Sequence, residues 1–150
     1  TDSDYTGDYG DRKSTNGGCQ YLGDRLVSWQ CKKQTIVATS TTEAEYVAAA
    51  SCCSQVLWLQ NQLLDYGYNF MGTIIYIDNS STICIIENPV QHNKTKHIEI
   101  RHHFIRDCNA KKLIQMEKIH TEHNVADLLT KGFDPGRFQY LVPSIGMLNP

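Results

Sequence analysis

The chain has 150 residues, 41% of them hydrophobic, and a formal net charge of −2. That apolar share suits one domain with a sizeable core. No apolar run reaches the roughly 20 residues of a membrane span, no signal peptide is legible at the N-terminus, and so weak a net charge leaves local basic patches as the electrostatic route to phosphate. The first residue is Thr rather than Met, so the sequence reads as a segment of a longer polypeptide. Cys19, Cys31, Cys52, Cys53, Cys84 and Cys108 form no C-x-x-C pair. This argues against a zinc ribbon and for reduced thiols in an intracellular compartment.

In chain order, Asp8-Tyr-Gly-Asp-Arg-Lys-Ser-Thr-Asn-Gly-Gly18 reads as a polar, Gly-rich loop. Cys19 to Leu22 and Leu26 to Cys31 read as two strands joined at Gly23-Asp24, a hairpin. A long helix starts at Ser40-Thr-Thr, where Ser40 with Glu43 and Thr42 with Glu45 both match the capping pattern S/T-x-x-E. Tyr46, Ala50, Cys53, Leu57 and Leu64 give it an apolar face, and it ends near Gly67. Thr73 to Ile77 lacks alternation and predicts a strand buried on both faces. Asn79 to Glu87 predicts a short helix that stops before Asn88-Pro89. A helix of mixed polarity over His97 to Lys112, a strand over Leu113 to Ile119, a short helix over Val125 to Lys131 and a last helix over Arg137 to Ile145, interrupted by Pro143, complete the pattern. The order is that of an α/β domain.

Four acids stand at the predicted element ends: Asp2, Glu45, Asp78 and Asp127. A fold that joins those ends builds a carboxylate cluster, which repels itself unless cations share it. Hard oxygen ligands of this kind suit Mg²⁺ or Mn²⁺, and two such ions can drive phosphodiester hydrolysis. Each acid also has an ordinary reading. Asp2 can be a frayed terminus, and Asp4 is its rival, because residues two apart share a strand face. Glu45 can be the capping-box acid of its helix, Asp78 an N-cap, and Asp127 a first-turn acid facing a helix dipole. Lys94, Lys96, Arg101, Arg106, Lys111 and Lys112 crowd one stretch, while Arg12-Lys13 and Lys32-Lys33 form smaller pairs. They read equally as phosphate contacts or as solvated faces. His120-x-x-His123 has metal-like spacing, but no Cys pair completes a zinc site.

The stretches Asp2-Ser-Asp-Tyr5, Asp11-Arg-Lys-Ser-Thr15, Ser28-Trp29, Lys32-Lys-Gln34, Ser40-Thr-Thr-Glu-Ala-Glu-Tyr46, Trp58-Leu59, Ile77-Asp-Asn79, Lys94-Thr-Lys-His-Ile-Glu-Ile-Arg101, His103-Phe-Ile-Arg106 and Ala126-Asp-Leu-Leu-Thr-Lys131 run in order over nearly the whole chain. Together they resemble the ribonuclease H domain of copia-type LTR-retrotransposon Pol polyproteins, most like those of plants. The resemblance implies a ribonuclease H-like fold across residues 1–150, a five-stranded mixed sheet flanked by helices, with 132–150 as a C-terminal extension. It also implies a first strand truncated here, since only Thr1 precedes Asp2. The implied activity is endonucleolytic hydrolysis of the RNA strand of RNA–DNA hybrids during reverse transcription, with two Mg²⁺ ions and Mn²⁺ as a substitute.

By position, Asp2, Glu45, Asp78 and Asp127 match the family's catalytic and metal-binding carboxylates. In the implied roles Asp2 and Asp78 are central ligands, Glu45 holds the metal nearer the leaving group and Asp127 the one that activates water. Arg12, Lys13, Ser14, Thr15, Lys94, Lys96, Arg101 and Arg106 would grip the hybrid backbone. His123 lies in the region of the family's mobile histidine, and its loop is shortened. The implied partners are the hybrid and the reverse transcriptase portion of the same polyprotein, in a cytoplasmic virus-like particle, with no membrane. The competing readings are an inactive hybrid-binding or structural remnant of a decayed element, and a zinc-binding interaction module.

Overall fold

Three antiparallel strands and one long helix frame the N-terminal half of the computed structural model, which describes residues 1–7, 10–88, 98 and 100–146. Strand β1 (Asp2–Asp4) pairs with β2 (Thr15–Leu22), and β2 pairs with β3 (Arg25–Lys33), in the order β1-β2-β3. The β2–β3 hairpin turns at Gly23-Asp24, as the sequence predicts, and both strands run further from the turn than the apolar residues alone indicate.

Helix α1 (Thr41–Asp65) begins where the capping pattern places it. Ser40 Oγ accepts from Glu43 N–H at 3.1 Å, and Glu43 Oε2 accepts from Thr39 N–H at 2.6 Å. Glu43 is therefore the capping acid, and Glu45 is left for another task. The helix stops at Tyr66, followed by Gly67 at φ +86°, a left-handed position that favours glycine.

Strand β4 (Thr73–Ile77) pairs in parallel with β5 (Ile114–Lys118), from Thr73↔Ile114 to Ile77↔Lys118. A parallel pair needs a long crossover. Here it contains α2 (Ser80–Glu87) and α3 (Phe104–Ala110), with a 3-10 turn at Ile100–His102 just before α3. The helix predicted over residues 97–112 is thus broken at His103, and its first residues, His97 and Glu99, lie outside the described residues. The core gathers Tyr46, Ala49 and Cys53 of α1 with Ile75, Ile77, Ile86, Ile105 and Ile114. Full burial of an isoleucine such as Ile77 or Ile105 contributes about 2 kcal/mol. A 3-10 turn at Val125–Leu129 and α4 (Pro135–Ser144), with Asp134 as N-cap and Pro143 in its last turn, close the chain's described part.

Among the described residues, five strands form two sheets, not the single five-stranded sheet expected from the resemblance. The physical reason is the shortness of β1. It has three residues, all paired with β2. Toward β4, among the described residues, the one main-chain bond comes from Thr1, just ahead of β1, whose nitrogen donates to Tyr76 O at 3.0 Å. One bond is a rung, not a ladder. Between β2 and β4 lies an apolar groove of about 580 Å³, lined in part by Cys19, Leu22, Val56, Leu63, Ile74 and Tyr76. The same opening corrects the expectation that β4 is buried on both faces. Ile75 and Ile77 are buried, whereas Ile74 and Tyr76 are 39% and 45% exposed and line the groove.

All six cysteines are free thiols. Among the described residues, no helix is long and apolar enough to cross a membrane.

Candidate metal centre

Asp2, Asp78 and Asp127 converge, each offering one carboxylate oxygen within 4.8 Å of the others. They arrive from β1, from the residue after β4, and from the 3-10 turn at Val125–Leu129. The sequence explains each delivery. Asn79 caps α2 by accepting from Thr82 N–H at 3.1 Å, so Asp78 is not consumed as a cap. Asn124 caps the 3-10 turn through Ala126 N–H and also donates to Thr1 O at 3.0 Å, tying the Asp127 turn to the start of β1. Asp4, the sequence rival of Asp2, is not in the cluster.

Gly17 makes this approach possible. It stands opposite Asp2 in the β1–β2 register, and a Cβ there would meet Thr130 Cγ2 at 2.7 Å and Ala126 O at 2.8 Å. Only a residue without a side chain lets the Asp127 turn sit this close.

Glu45 lies beside the trio rather than within it. It is 3% exposed, and its Oε1 accepts from Ser3 N–H at 2.9 Å. Its Oε2 is buried with no hydrogen-bond partner. Burial, reinforced by the nearby Asp2 and Asp78 carboxylates, pushes Glu45 up to about 8. Asp127 is also raised, by burial first and then by Asp2, against the pull of Lys131. An orphaned, buried carboxylate oxygen beside three clustered carboxylates has the donor chemistry of a divalent-cation site. The oxygen-only set fits Mg²⁺ or Mn²⁺ and disfavours zinc.

Two cations missed by the sequence reasoning touch the cluster. Lys131 Nζ donates to Asp2 Oδ1 at 3.3 Å and to Asp127 Oδ1 at 3.2 Å. Burial opposes its charge, but the two carboxylates outweigh that and raise its pKa above the ordinary lysine value. Arg137 Nη2, from α4, lies 3.6 Å from Asp127 Oδ2 and donates to Thr121 O at 3.2 Å. The Asp127/Lys131 spacing of four was the legible signal for the first. Arg137 comes from a separate helix, so no local spacing announces it. Hydroxyls complete the shell: Thr130 Oγ1 donates to Asp2 Oδ2, and Thr121 Oγ1 to Asp78 Oδ2 at 3.1 Å. His123 is exposed on the turn that carries Thr121.

The residues expected to grip a nucleic-acid backbone scatter in their surroundings. Arg12 is exposed and Lys13 half-buried, and Thr15 pairs with Asp4 in the sheet. Ser14 is fully buried, with its Oγ accepting from Thr6 N–H at 3.3 Å, so it braces a turn. Arg106 turns inward, donating from Nε to Ile85 O at 3.1 Å and lying over the Tyr46 ring. Lys94 and Lys96 lie outside the described residues, as does the side chain of Arg101.

Fold and site together define an α/β protein whose strand ends and a 3-10 turn assemble an acidic centre able to hold a metal ion. Its relatives narrow this class. The chain is 37% identical over 147 residues to the Retrovirus-related Pol polyprotein from transposon TNT 1-94 of Nicotiana tabacum, covering 98% of this chain and 11% of that protein. It is 37% identical over 148 residues to the corresponding polyprotein from transposon RE1 of Arabidopsis thaliana, covering 98% of this chain and 10% of that one. Against transposon RE2 of the same plant it is 36% identical over 149 residues, covering 99% of this chain and 10% of the relative. The chain is thus homologous to a segment of plant retrotransposon Pol polyproteins and spans about a tenth of their length. No family model matches it, and no solved structure matches it significantly.

Proposed function

We propose that this domain hydrolyses the RNA strand of RNA–DNA hybrids, as the ribonuclease H of a retrotransposon Pol polyprotein acting beside its reverse transcriptase portion. The observation that carries this reading is the convergence of Asp2, Asp78 and Asp127 within 4.8 Å. The buried, unpartnered Glu45 Oε2 beside them supports it. Likeness to a segment of proteins named as retrovirus-related Pol polyproteins is consistent with this reading.

The four carboxylates would hold Mg²⁺ or Mn²⁺. When bound, the ions supply an activated water and neutralise charge at the leaving 3′ oxygen. The chain's own residues prepare that step. The Ser3 N–H fixes one oxygen of Glu45 and leaves the other free for a ligand. Thr130 and Thr121 orient Asp2 and Asp78 through their hydroxyls. Burial of Asp2, Glu45 and Asp127 limits water around them and strengthens their hold on a cation. Exposed Arg12 and half-buried Lys13 remain available to backbone phosphates, where contacts position without reading sequence.

The test is cleavage of a labelled RNA–DNA hybrid with Mg²⁺ and then with EDTA. Metal-dependent cutting of the RNA strand, lost in a folded Asp78→Asn variant, is the expected result. Full activity in Asp78→Asn would refute the site. Hybrid binding with no cleavage at saturating Mg²⁺ or Mn²⁺ would instead identify a non-catalytic remnant.

A further inference from the structure

The Lys131 ammonium lies between two of the carboxylates that define the metal centre, bonded to Asp2 Oδ1 at 3.3 Å and Asp127 Oδ1 at 3.2 Å. Its backbone is fixed to the same turn, with Lys131 N–H donating to Asp127 O at 3.0 Å. The lysine is therefore tethered to one ligand while its head reaches a second, from a strand at the other end of the chain. The two carboxylates are 1% and 3% exposed, but the Lys131 side chain is 36% exposed. The Lys131 side chain thus keeps access to solvent. An ammonium is a compact point charge on a flexible stem, which suits transient occupancy better than a planar guanidinium does.

We propose that Lys131 is a displaceable internal counter-ion: it neutralises Asp2 and Asp127 when no divalent ion is bound, and a divalent ion must take those oxygens from it. The inference rests on the metal-binding part of the function proposed above, not on hydrolysis. Two consequences follow. Without metal, Lys131 suppresses the mutual repulsion of two buried carboxylates and holds the Asp127 turn against β1. With metal, the same bonds must break, so Lys131 lowers apparent affinity and makes occupancy depend on divalent-ion concentration. Arg137 cannot take over both duties, because it lies near Asp127 alone of the pair, at 3.6 Å.

The experiment compares the wild-type chain with Lys131→Met and Lys131→Arg. Mn²⁺ titrations followed by electron paramagnetic resonance give affinity, and melting temperatures are taken in EDTA and at saturating Mn²⁺. In Lys131→Met we expect a lower melting temperature in EDTA, recovery when Mn²⁺ is added, and Mn²⁺ binding tighter by about tenfold, in the usual range of coupling between two ligands of one protein. Lys131→Arg keeps the charge, so its melting temperature in EDTA should stay near wild type, and its less readily displaced guanidinium should leave Mn²⁺ binding no tighter than wild type.

A merely structural ion pair would lower the melting temperature with and without metal and leave Mn²⁺ affinity unchanged. That result, or weaker Mn²⁺ binding in Lys131→Met, overturns the proposal. So does failure of wild type and Lys131→Met alike to bind Mn²⁺ at millimolar concentration. Because no readout uses a hybrid, metal competition with no RNA cleavage would sink the hydrolase reading and leave this one standing.

Discussion

Gly17 faces Asp2 across the β1–β2 ladder, and the volume its missing side chain vacates is filled by Thr130 Cγ2 and Ala126 O. The strand that carries one ligand is thereby pressed against the turn that carries another. Gly17→Ala puts a carbon 2.7 Å from one atom and 2.8 Å from the other, and the second is backbone that cannot rotate away. The Asp127 turn must retreat, taking Thr130 and Lys131 with it. Overpacking of this kind costs about 1–3 kcal/mol. We expect a clear drop in melting temperature together with weaker Mn²⁺ binding. If Gly17→Ala matched wild type in both, the close approach would carry no weight in the site.

Glu45 makes the metal-free protein sensitive to pH. Its carboxyl is raised from 4.5 to about 8 in the folded chain, chiefly by burial. Below about pH 4.5 it is protonated in both states and has no effect on stability. As pH rises from there toward 8, the unfolded chain releases the proton while the folded chain retains it. The folded state binds more protons across that window, so Glu45 subtracts stability progressively and fully only above pH 8. In EDTA, the melting temperature of Glu45→Gln should therefore gain on wild type as pH climbs from 5 to 8. Parallel curves for the two proteins would show that Glu45 does not titrate in this way.

How much of this was legible varied with how local the cause was. The hairpin at Gly23-Asp24 and the start of α1 at Ser40 depend on neighbours a few residues away, and the sequence announces them. The sequence marks Asp2, Glu45, Asp78 and Asp127 together; geometry brings Asp2, Asp78 and Asp127 within 4.8 Å, leaves Glu45 beside them, and decides between the ordinary readings of Glu45 and Asp78. Glu43 takes the capping role that the pattern also offered to Glu45, and Asn79 the one offered to Asp78. Arg137 and Thr121 reach Asp127 and Asp78 from separate elements, and Ser3, next to Asp2 on β1, reaches Glu45 across 42 residues, so no spacing exposes these contacts. The division into two sheets was likewise hidden, because it depends on whether β1 extends alongside β4 and not on the apolar pattern of either strand.

Asp2 and Asp4 separate in a direct comparison. Asp2 is 1% exposed and bonded to Thr130 and Lys131, whereas Asp4 is half-buried and outside the acidic trio. Asp2→Asn removes a cluster charge and should weaken Mn²⁺ binding by at least about tenfold, a loss equivalent to roughly 1.4 kcal/mol. Asp4→Asn should leave that affinity within about twofold of wild type, a change below 0.5 kcal/mol by the same arithmetic. Equal losses from both would mean that Asp4 ligates as well.

The groove between the sheets has the shape of an unfilled strand position. On the β1 side of β2, pairing stops at Gly17, so among the described residues no strand lies opposite the ladder groups of Gly18 to Leu22. Among the described residues, β4 pairs with β5 alone, leaving its other edge toward the groove. Thr1 already makes one rung to Tyr76 O, and it would keep that bond as a peptide N–H if residues were joined ahead of it. Those residues would run antiparallel to β2 and alongside β4, satisfying both edges and covering Ile74 and Tyr76. Five β-branched residues joined ahead of Thr1 should raise the melting temperature by about 3 °C or more, the shift expected for each kcal/mol in a chain this size. The same addition should reduce binding of a hydrophobic dye and slow amide exchange in Thr73–Ile77. A melting temperature and exchange pattern left unmoved by the extension would show that the groove does not accept a strand.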